Sequence, residues 1–221
     1  MTGVTLPPDV QLLLASASPR RRELLAALGI RFLVRPVDLD ETPEPGESPE
    51  ALVRRLAAAK ARTGFERWRP PVPVLGADTV VVDEDRALGK PRDRADALAV
   101  LGRLSGRAHE VLTAVAVATE AGVQRALSRS TVVFRRLAPG EAERYWETGE
   151  PVDKAGAYGI QGIGGIFVDR LEGSHSGVVG LPLAETERLL RAAGIDTWRH
   201  RVAPDHGPGT RSGGDRPLDE P

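Results

Sequence analysis

Cysteine is absent from the 221 residues, which excludes both a disulfide framework and any thiolate-held metal. A reducing compartment fits that absence, and the cytoplasm is the expected location. Aromatic residues make up only 4% of the chain, leaving no stacking platform of the kind that single-stranded nucleic acid requires. The formal net charge is -1, so the molecule as a whole has no electrostatic pull toward a polyanion. Neither nucleic acid nor membrane is an expected partner. No uninterrupted apolar stretch approaches the roughly 20 residues needed to span a bilayer. The N-terminus also lacks a basic lead before its short apolar run, which argues against a signal peptide. Lysine is scarce as well: Lys60, Lys90 and Lys154 are the only three, while arginine fills the other cationic positions. An ammonium is a compact point charge and a guanidinium a broad planar fork, so a tight phosphate site can refuse the exchange. The surviving lysines are therefore candidates for function.

What is present describes an ordinary globular chain, 41% hydrophobic and 28% charged, long enough for one large domain or two small ones with a shared core. Residues 1–9 read as a leader and 10–200 as the domain. Residues 201–221 have almost nothing to bury and read as a disordered tail. Strands are predicted over Gln11–Ala15, Phe32–Pro36, Val72–Val82, His109–Thr119, Val123–Arg135, Ile166–Leu171 and Ser176–Val179. Helices are predicted from Ser18 to Gly29, from Ser48 to Gly64, over Asp93–Leu104, Pro139–Thr148 and Pro182–Ala193. Strands alternate with helices, yet hairpin-like pairs also occur. The expected class is α/β, a mixed sheet with helices on its faces.

Four constellations carry chemistry. Ser16, Ser18, Arg20, Arg21 and Arg22 fall at a strand-to-helix junction, where the helix dipole and free N–H groups attract anions. Each arginine there opposes the dipole at ~0.3–1 kcal/mol, a sign that a bound phosphate chain would reverse. The bland alternative is an arginine-rich surface helix. Second, Asp78 stands beside Thr79 inside an otherwise apolar strand, where a carboxylate is expensive to bury unless paired or bound to metal. It suits a general base or a divalent-cation ligand. An aspartate satisfied at a bulge is the alternative. Third, Leu88-Gly89-Lys90-Pro91 presents one ammonium on a short loop, without any Walker pattern in the chain. Fourth, the run from Asp153 through Lys154, Tyr158 and Gln161 to Gly162 is rich in small residues that let a backbone approach a ligand. A flexible glycine-rich hairpin is the competing reading. Asp38, Asp40 and Glu41 form an acidic loop, either solvated or able to help hold a metal. The four histidines lack ligand spacing and read as structural or surface groups.

Taken in order, SASPRRRELL, DET at Asp40–Thr42, LGADTVV, LGKPRD, LSGRAHEVLTAV, DKAGAYGIQG and VVGLPL resemble the Maf family, from about Leu12 to Ala193. The resemblance implies an elongated mixed β-sheet flanked by helices, with two lobes around a nucleotide cleft, similar to inosine triphosphate pyrophosphatases. It implies nucleoside triphosphate pyrophosphatase activity, a divalent cation (Mg²⁺ or Mn²⁺), and a homodimer in many members. By position, Asp78 matches the proton acceptor and a metal ligand. Glu41 matches a metal-associated acid. Ser16, Ser18, Arg20, Arg21, Lys60 and Lys90 match phosphate-handling positions, and Lys154 falls in the glycine-rich motif. Arg20, Thr79 and Gln161 match positions associated with substrate choice, in the pattern of members that act on dTTP and UTP in nucleotide housecleaning. A neutral amide can pair with the N3–H and a carbonyl of uracil or thymine, whereas a carboxylate suits a cationic methylated guanine. Three rival readings are a nucleotide-sensing regulator of septum formation, an enzyme for 7-methyl-GTP or a modified pyrimidine, and a nucleic-acid binder.

Overall fold

The computed structural model describes residues 6–198 and contains a seven-stranded mixed sheet with helices on both faces. The chain enters through β1 (Leu12–Leu14), all three of its leucines buried. Helix α1 (Pro19–Ala26) begins under Ser18, whose Oγ accepts from the Arg21 N–H at 3.4 Å. Pro19 costs nothing at the first helical position, where its missing N–H would have had no partner in the helix. Strand β2 (Phe32–Val34) pairs parallel to β1. Helix α2 (Pro49–Trp68) starts under the matching cap of Ser48. It lays Val53, Ala57, Ala58 and Ala61 across Leu112, Ala114 and Ala116 on one face of the sheet.

Three strands form the antiparallel centre: β3 (Val74–Asp83), β5 (Ala108–Thr119) and β6 (Gly122–Phe134). A short β4 (Arg86–Leu88) hairpins back on the end of β3, and β7 (Val168–Glu172) pairs with β6. The path is β2-β1-β3-β5-β6-β7. One consequence positions the site. Strand β5 covers one edge of β3 from Val74 to Val82, while the opposite edge is shared between β1, whose pairing with β3 ends at Leu75, and β4, whose pairing begins at Val81. Between them the Gly76–Val80 stretch has an edge with no strand paired to it among the described residues.

The face away from α2 carries two separate cores. Near one end Leu75, Ala77, Val115 and Val117 pack with Leu25 of α1 and with Leu189 and Leu190 of α6 (Leu183–Ala192). Toward the other end Val81 and Val111 pack with α3 (Arg94–Leu104), with Tyr145 of α4 (Glu141–Glu147), and with Phe134, Tyr158 and Phe167. Each core is one lobe, and the long strands are common to both. Thr79 and Thr113, paired across β3 and β5, lie between the two cores.

Two sequence expectations are corrected. Helix α2 does not stop at Gly64 but runs to Trp68, where Arg69 adopts the left-handed conformation at φ 40°. A Cβ on Gly64 would come within 2.9 Å of Val74 Cγ1, so this glycine serves helix–strand packing, not termination. Ser176–Val179 is not a strand. It lies in the short helix α5 (His175–Val179), started by Ser174, which accepts from the Gly177 N–H at 3.0 Å. A capping serine outweighed the strand preference of two valines. The tail from 201 and the first five residues of the leader fall outside the described residues, as do His200 and His206. No helix among the described residues is long and apolar enough to cross a membrane.

Candidate active site

A cleft of about 580 Å³ opens along the free edge of β3, a size suited to a small ligand. Its floor is Asp78, 8% exposed. Even- and odd-numbered residues of a strand point to opposite faces, so Asp78 shares a face with Gly76, toward α2. A Cβ on Gly76 would collide with Ala57 O and lie 2.6 Å from Ala61 N. The bare glycine thus lets α2 press onto β3, and that approach brings Lys60 over Asp78. Lys60 Nζ donates to Asp78 Oδ1 at 2.7 Å and pairs with Glu41 Oε1 at 2.6 Å. Burial pushes the Asp78 carboxyl above the usual carboxylate value. Lys60 and Arg21 oppose that rise, and Glu41 adds to it. Burial works against the charge of Glu41 too, but there Lys60, Lys90 and Arg21 prevail and hold it below the usual value. Two neighbouring acids are therefore driven apart, and the raised one has the character of a base.

Glu41 reaches this point from an acidic loop that is itself pinned. The Asp40 carboxylate accepts from the Thr42 N–H at 2.9 Å, and Arg55 of α2 donates to Thr42 O at 3.1 Å and to both oxygens of Glu47.

The opposite wall is the start of α1. Arg21 is spread over three acceptors: Gly180 O at 2.9 Å, Thr79 Oγ1 at 3.2 Å and Ser16 Oγ at 3.3 Å. Burial pulls its guanidinium pKa down, while Asp78 supports its charge. Ser16 Oγ also accepts from the Ser18 N–H at 3.2 Å, fixing the turn into the helix. Thr113 donates to Gly177 O at 2.7 Å and sits 3.0 Å from Thr79 Oγ1, tying the wall to α5. Arg20 crosses the cleft to Asp153, at 2.8 Å from Oδ2. Arg22 is exposed and takes no part in the cleft wall, because the helical turn carries it to the solvent side.

The glycine-rich segment closes the third side. It is built of three 3₁₀ turns, not a hairpin. Lys154 Nζ donates to Asp153 Oδ1 at 2.8 Å and to Glu150 O at 2.6 Å, and against the opposing effect of burial Lys154 and Arg20 together bring Asp153 down to a pKa of about 2. Gln161 is exposed on the cleft wall. Lys90, on the loop after β4, is exposed at the rim, close enough for Glu41 to feel its charge.

All eleven sequence-predicted site residues line this one cleft: Ser16, Ser18, Arg20, Arg21, Glu41, Lys60, Asp78, Thr79, Lys90, Lys154 and Gln161. Asp78 and Glu41 converge on one cationic centre, the Lys60 ammonium, and both are hard oxygen donors. That pair fits a divalent cation of the Mg²⁺ class, which binds one or two carboxylates and completes its shell with phosphate oxygens and water. Asp153 and Thr113 were missed as site residues. Asp153 stood within a motif already singled out, whereas a threonine in a strand carries no signal of its own. His109 is buried, 2.9 Å from the Tyr158 hydroxyl, as a structural histidine should be.

A family model described as Maf-like protein matches residues 11–193. The chain is 53% identical over 195 residues to a dTTP/UTP pyrophosphatase of Saccharophagus degradans, covering 87% of this chain and 93% of that one. It is 52% identical to a dTTP/UTP pyrophosphatase of Hahella chejuensis, covering 87% and 96%. Among solved structures, a nucleoside-triphosphatase / dITP/XTP pyrophosphatase of Mycobacterium abscessus aligns at a TM-score of 0.38 and 20% identity, over 60% of this chain and 78% of that one.

Proposed function

This chain belongs to the Maf family, and we propose that it hydrolyses dTTP and UTP to the nucleoside monophosphate and pyrophosphate. The observation that carries this reading is a buried carboxylate with a raised pKa, Asp78, facing Arg21 and Lys60 along an unpaired strand edge. The triphosphate lies between α1 and the β3 edge, with Arg20, Arg21, Lys60, Lys90 and Lys154 as its counter-charges. Ser16 and Ser18 add hydroxyls at the helix start. A water oxygen attacks the α-phosphorus, and the bond from that phosphorus to the bridging oxygen of the β-phosphate breaks. The water proton passes to Asp78, and pyrophosphate leaves. Asp78 and Glu41 would hold a Mg²⁺ or Mn²⁺ ion, which when bound supplies further neutralisation of phosphate charge. Arginines and lysines placed beforehand cost no reorganisation during the reaction, so positioning and electrostatics carry most of the acceleration. Gln161 offers a neutral amide to the N3–H and a carbonyl of the base, and Thr79 keeps Arg21 in place beneath the substrate.

Pyrophosphate release from UTP by the purified protein tests the reading directly. Asp78→Asn should lower kcat by about 10²–10⁴-fold while leaving KM nearly unchanged, as expected for loss of a proton acceptor. Near-normal turnover in that variant would refute the assignment. Absence of turnover by the parent chain would favour a nucleotide-binding regulator instead.

A further inference from the structure

The turn that carries Gln161 is built around Glu150, a side chain that is not part of the cleft lining. Gly162 N–H donates to Gly159 O at 3.1 Å, which makes residues 159–162 a tight turn with Gln161 at its third position. The carboxylate of Glu150 fills the inside of the segment that follows. Its Oε2 accepts from the Ile163 N–H at 2.9 Å, and its Oε1 accepts from the Gly164 N–H at 3.0 Å and from the Tyr145 hydroxyl at 2.6 Å. The same Tyr145 oxygen accepts from the Gly159 N–H at 3.0 Å. Both ends of the turn are thereby tied to one Tyr–Glu pair. The fit leaves no spare room: a Cβ on Gly162 would lie 2.6 Å from Glu150 Cδ, and one on Gly159 would lie 3.2 Å from Oε1.

We propose that Glu150, backed by Tyr145, is a positioning residue for base selection: its carboxylate anchors the main chain on both sides of Gln161 and so fixes where the amide meets the base. The inference rests on the reading of Gln161 given under Proposed function. The Glu150 carboxylate bonds Tyr145 and the main chain of this segment, while Lys154 meets Glu150 at its main-chain oxygen, which a side-chain change leaves in place, so loss of the carboxylate acts on recognition of the base and spares the chemistry at Asp78. Two of its three acceptor bonds come from main-chain N–H groups. An amide cannot accept with both ends, so Glu150→Gln would set an NH₂ group against an N–H donor.

The experiment is steady-state pyrophosphate release from UTP and from CTP by the parent, Glu150→Gln, Gln161→Ala and the double variant. In Glu150→Gln the KM for UTP should rise roughly tenfold and the preference for UTP over CTP should fall by about the same factor, the loss expected for one spoiled buried bond. The kcat for UTP should stay within about twofold, since no group acting on the transition state is altered. In the Gln161→Ala background the added Glu150→Gln change should shift the preference less than about twofold, because two residues that act through one contact are not additive. Parent-like selectivity in Glu150→Gln, or an equal further loss in the double variant, would overturn the proposal while leaving the pyrophosphatase reading intact. A parent chain that releases no pyrophosphate from UTP would overturn both. If Glu150→Gln does not fold, Tyr145→Phe removes one bond to each end of the clamp and must show the same KM-weighted loss of preference; unchanged preference there overturns the proposal equally.

Discussion

At the scale of single residues, the site holds a conflict between stability and chemistry at Asp78. Its pKa is raised in the folded state above the ordinary 3.8 because burial outweighs the help from Lys60 and Arg21. As pH rises, the unfolded chain loses this proton first, so between the two values the folded state binds more protons. The stability contribution is then fully present below the unfolded value and lost as pH rises through the folded one. At neutral pH the ionised aspartate is a net cost to the fold, the cost expected of the proton acceptor proposed above. Asp78→Asn removes the charge and keeps the shape, while Lys60 retains Glu41 at 2.6 Å. The variant should melt at or a few degrees above the parent at pH 7, at about 2–4 °C per kcal/mol for a domain of this size. The difference should narrow at pH 4. Thermal unfolding of both proteins at the two pH values checks this, and a variant that melts well below the parent at pH 7 would mean that the Lys60 ion pair outweighs burial.

At the scale of elements, the proposed catalytic pair depends on one helix–strand contact. Lys60 and Asp78 come from α2 and β3, and Gly76 sets how closely these approach. Gly76→Ala would force them apart, at a cost of about 1–3 kcal/mol for overpacking. A shift of the order of 1 Å in a catalytic group can cost ~10²-fold in rate, so kcat should fall more than stability alone explains. Gly102→Ala is the control. It lies in the interior of α3 with nothing within 4 Å of the added methyl, and should raise stability by ~0.5–1 kcal/mol. Urea unfolding beside kcat measurements separates the two outcomes, and parent-like stability in Gly76→Ala would remove the packing argument. This dependence also marks what could be read from the sequence. The caps at Ser18 and Ser48, the prolines after them and the long apolar strands are local signals, and all of these elements began within two residues of where they were expected. Asp78 was legible because a charge in an apolar run is anomalous. Gly64 looked like a helix end and Gly76 stood without signal inside a strand predicted across it, yet each marks a close approach, since one letter cannot tell a bend from a contact. Glu150 and Thr113 were illegible for the same reason: their partners lie 14 and 64 residues away in the chain.

For the whole molecule, the decisive feature is that two separate apolar cores share one set of strands, with the polar pair Thr79 and Thr113 between them. Across the cleft the lobes meet through Arg20 and Asp153, an ion pair whose aspartate side chain is 55% exposed. Exposed pairs contribute only ~0–1 kcal/mol. The lobes are thus held together at the cleft weakly until something charged fills it, although the overall net charge of -1 gives no hint of the local cationic wall. On the proposed reading a triphosphate would displace Asp153 from Arg20 and engage α1, α2 and the loop of Lys90 simultaneously, so its binding should act as a cross-brace. A non-hydrolysable dUTP analogue at about 100 times its Kd should add ~2.7 kcal/mol by mass action, which corresponds to a rise in Tm of roughly 5–10 °C. Screening between exposed charges shortens to about 3 Å at 1 M salt, so high salt should reduce that rise at fixed analogue concentration. Differential scanning calorimetry at low and high salt measures both effects. An analogue that binds but leaves Tm unchanged at low salt would mean that it rests on one lobe only, and the cleft would then not be where the two lobes are joined by substrate.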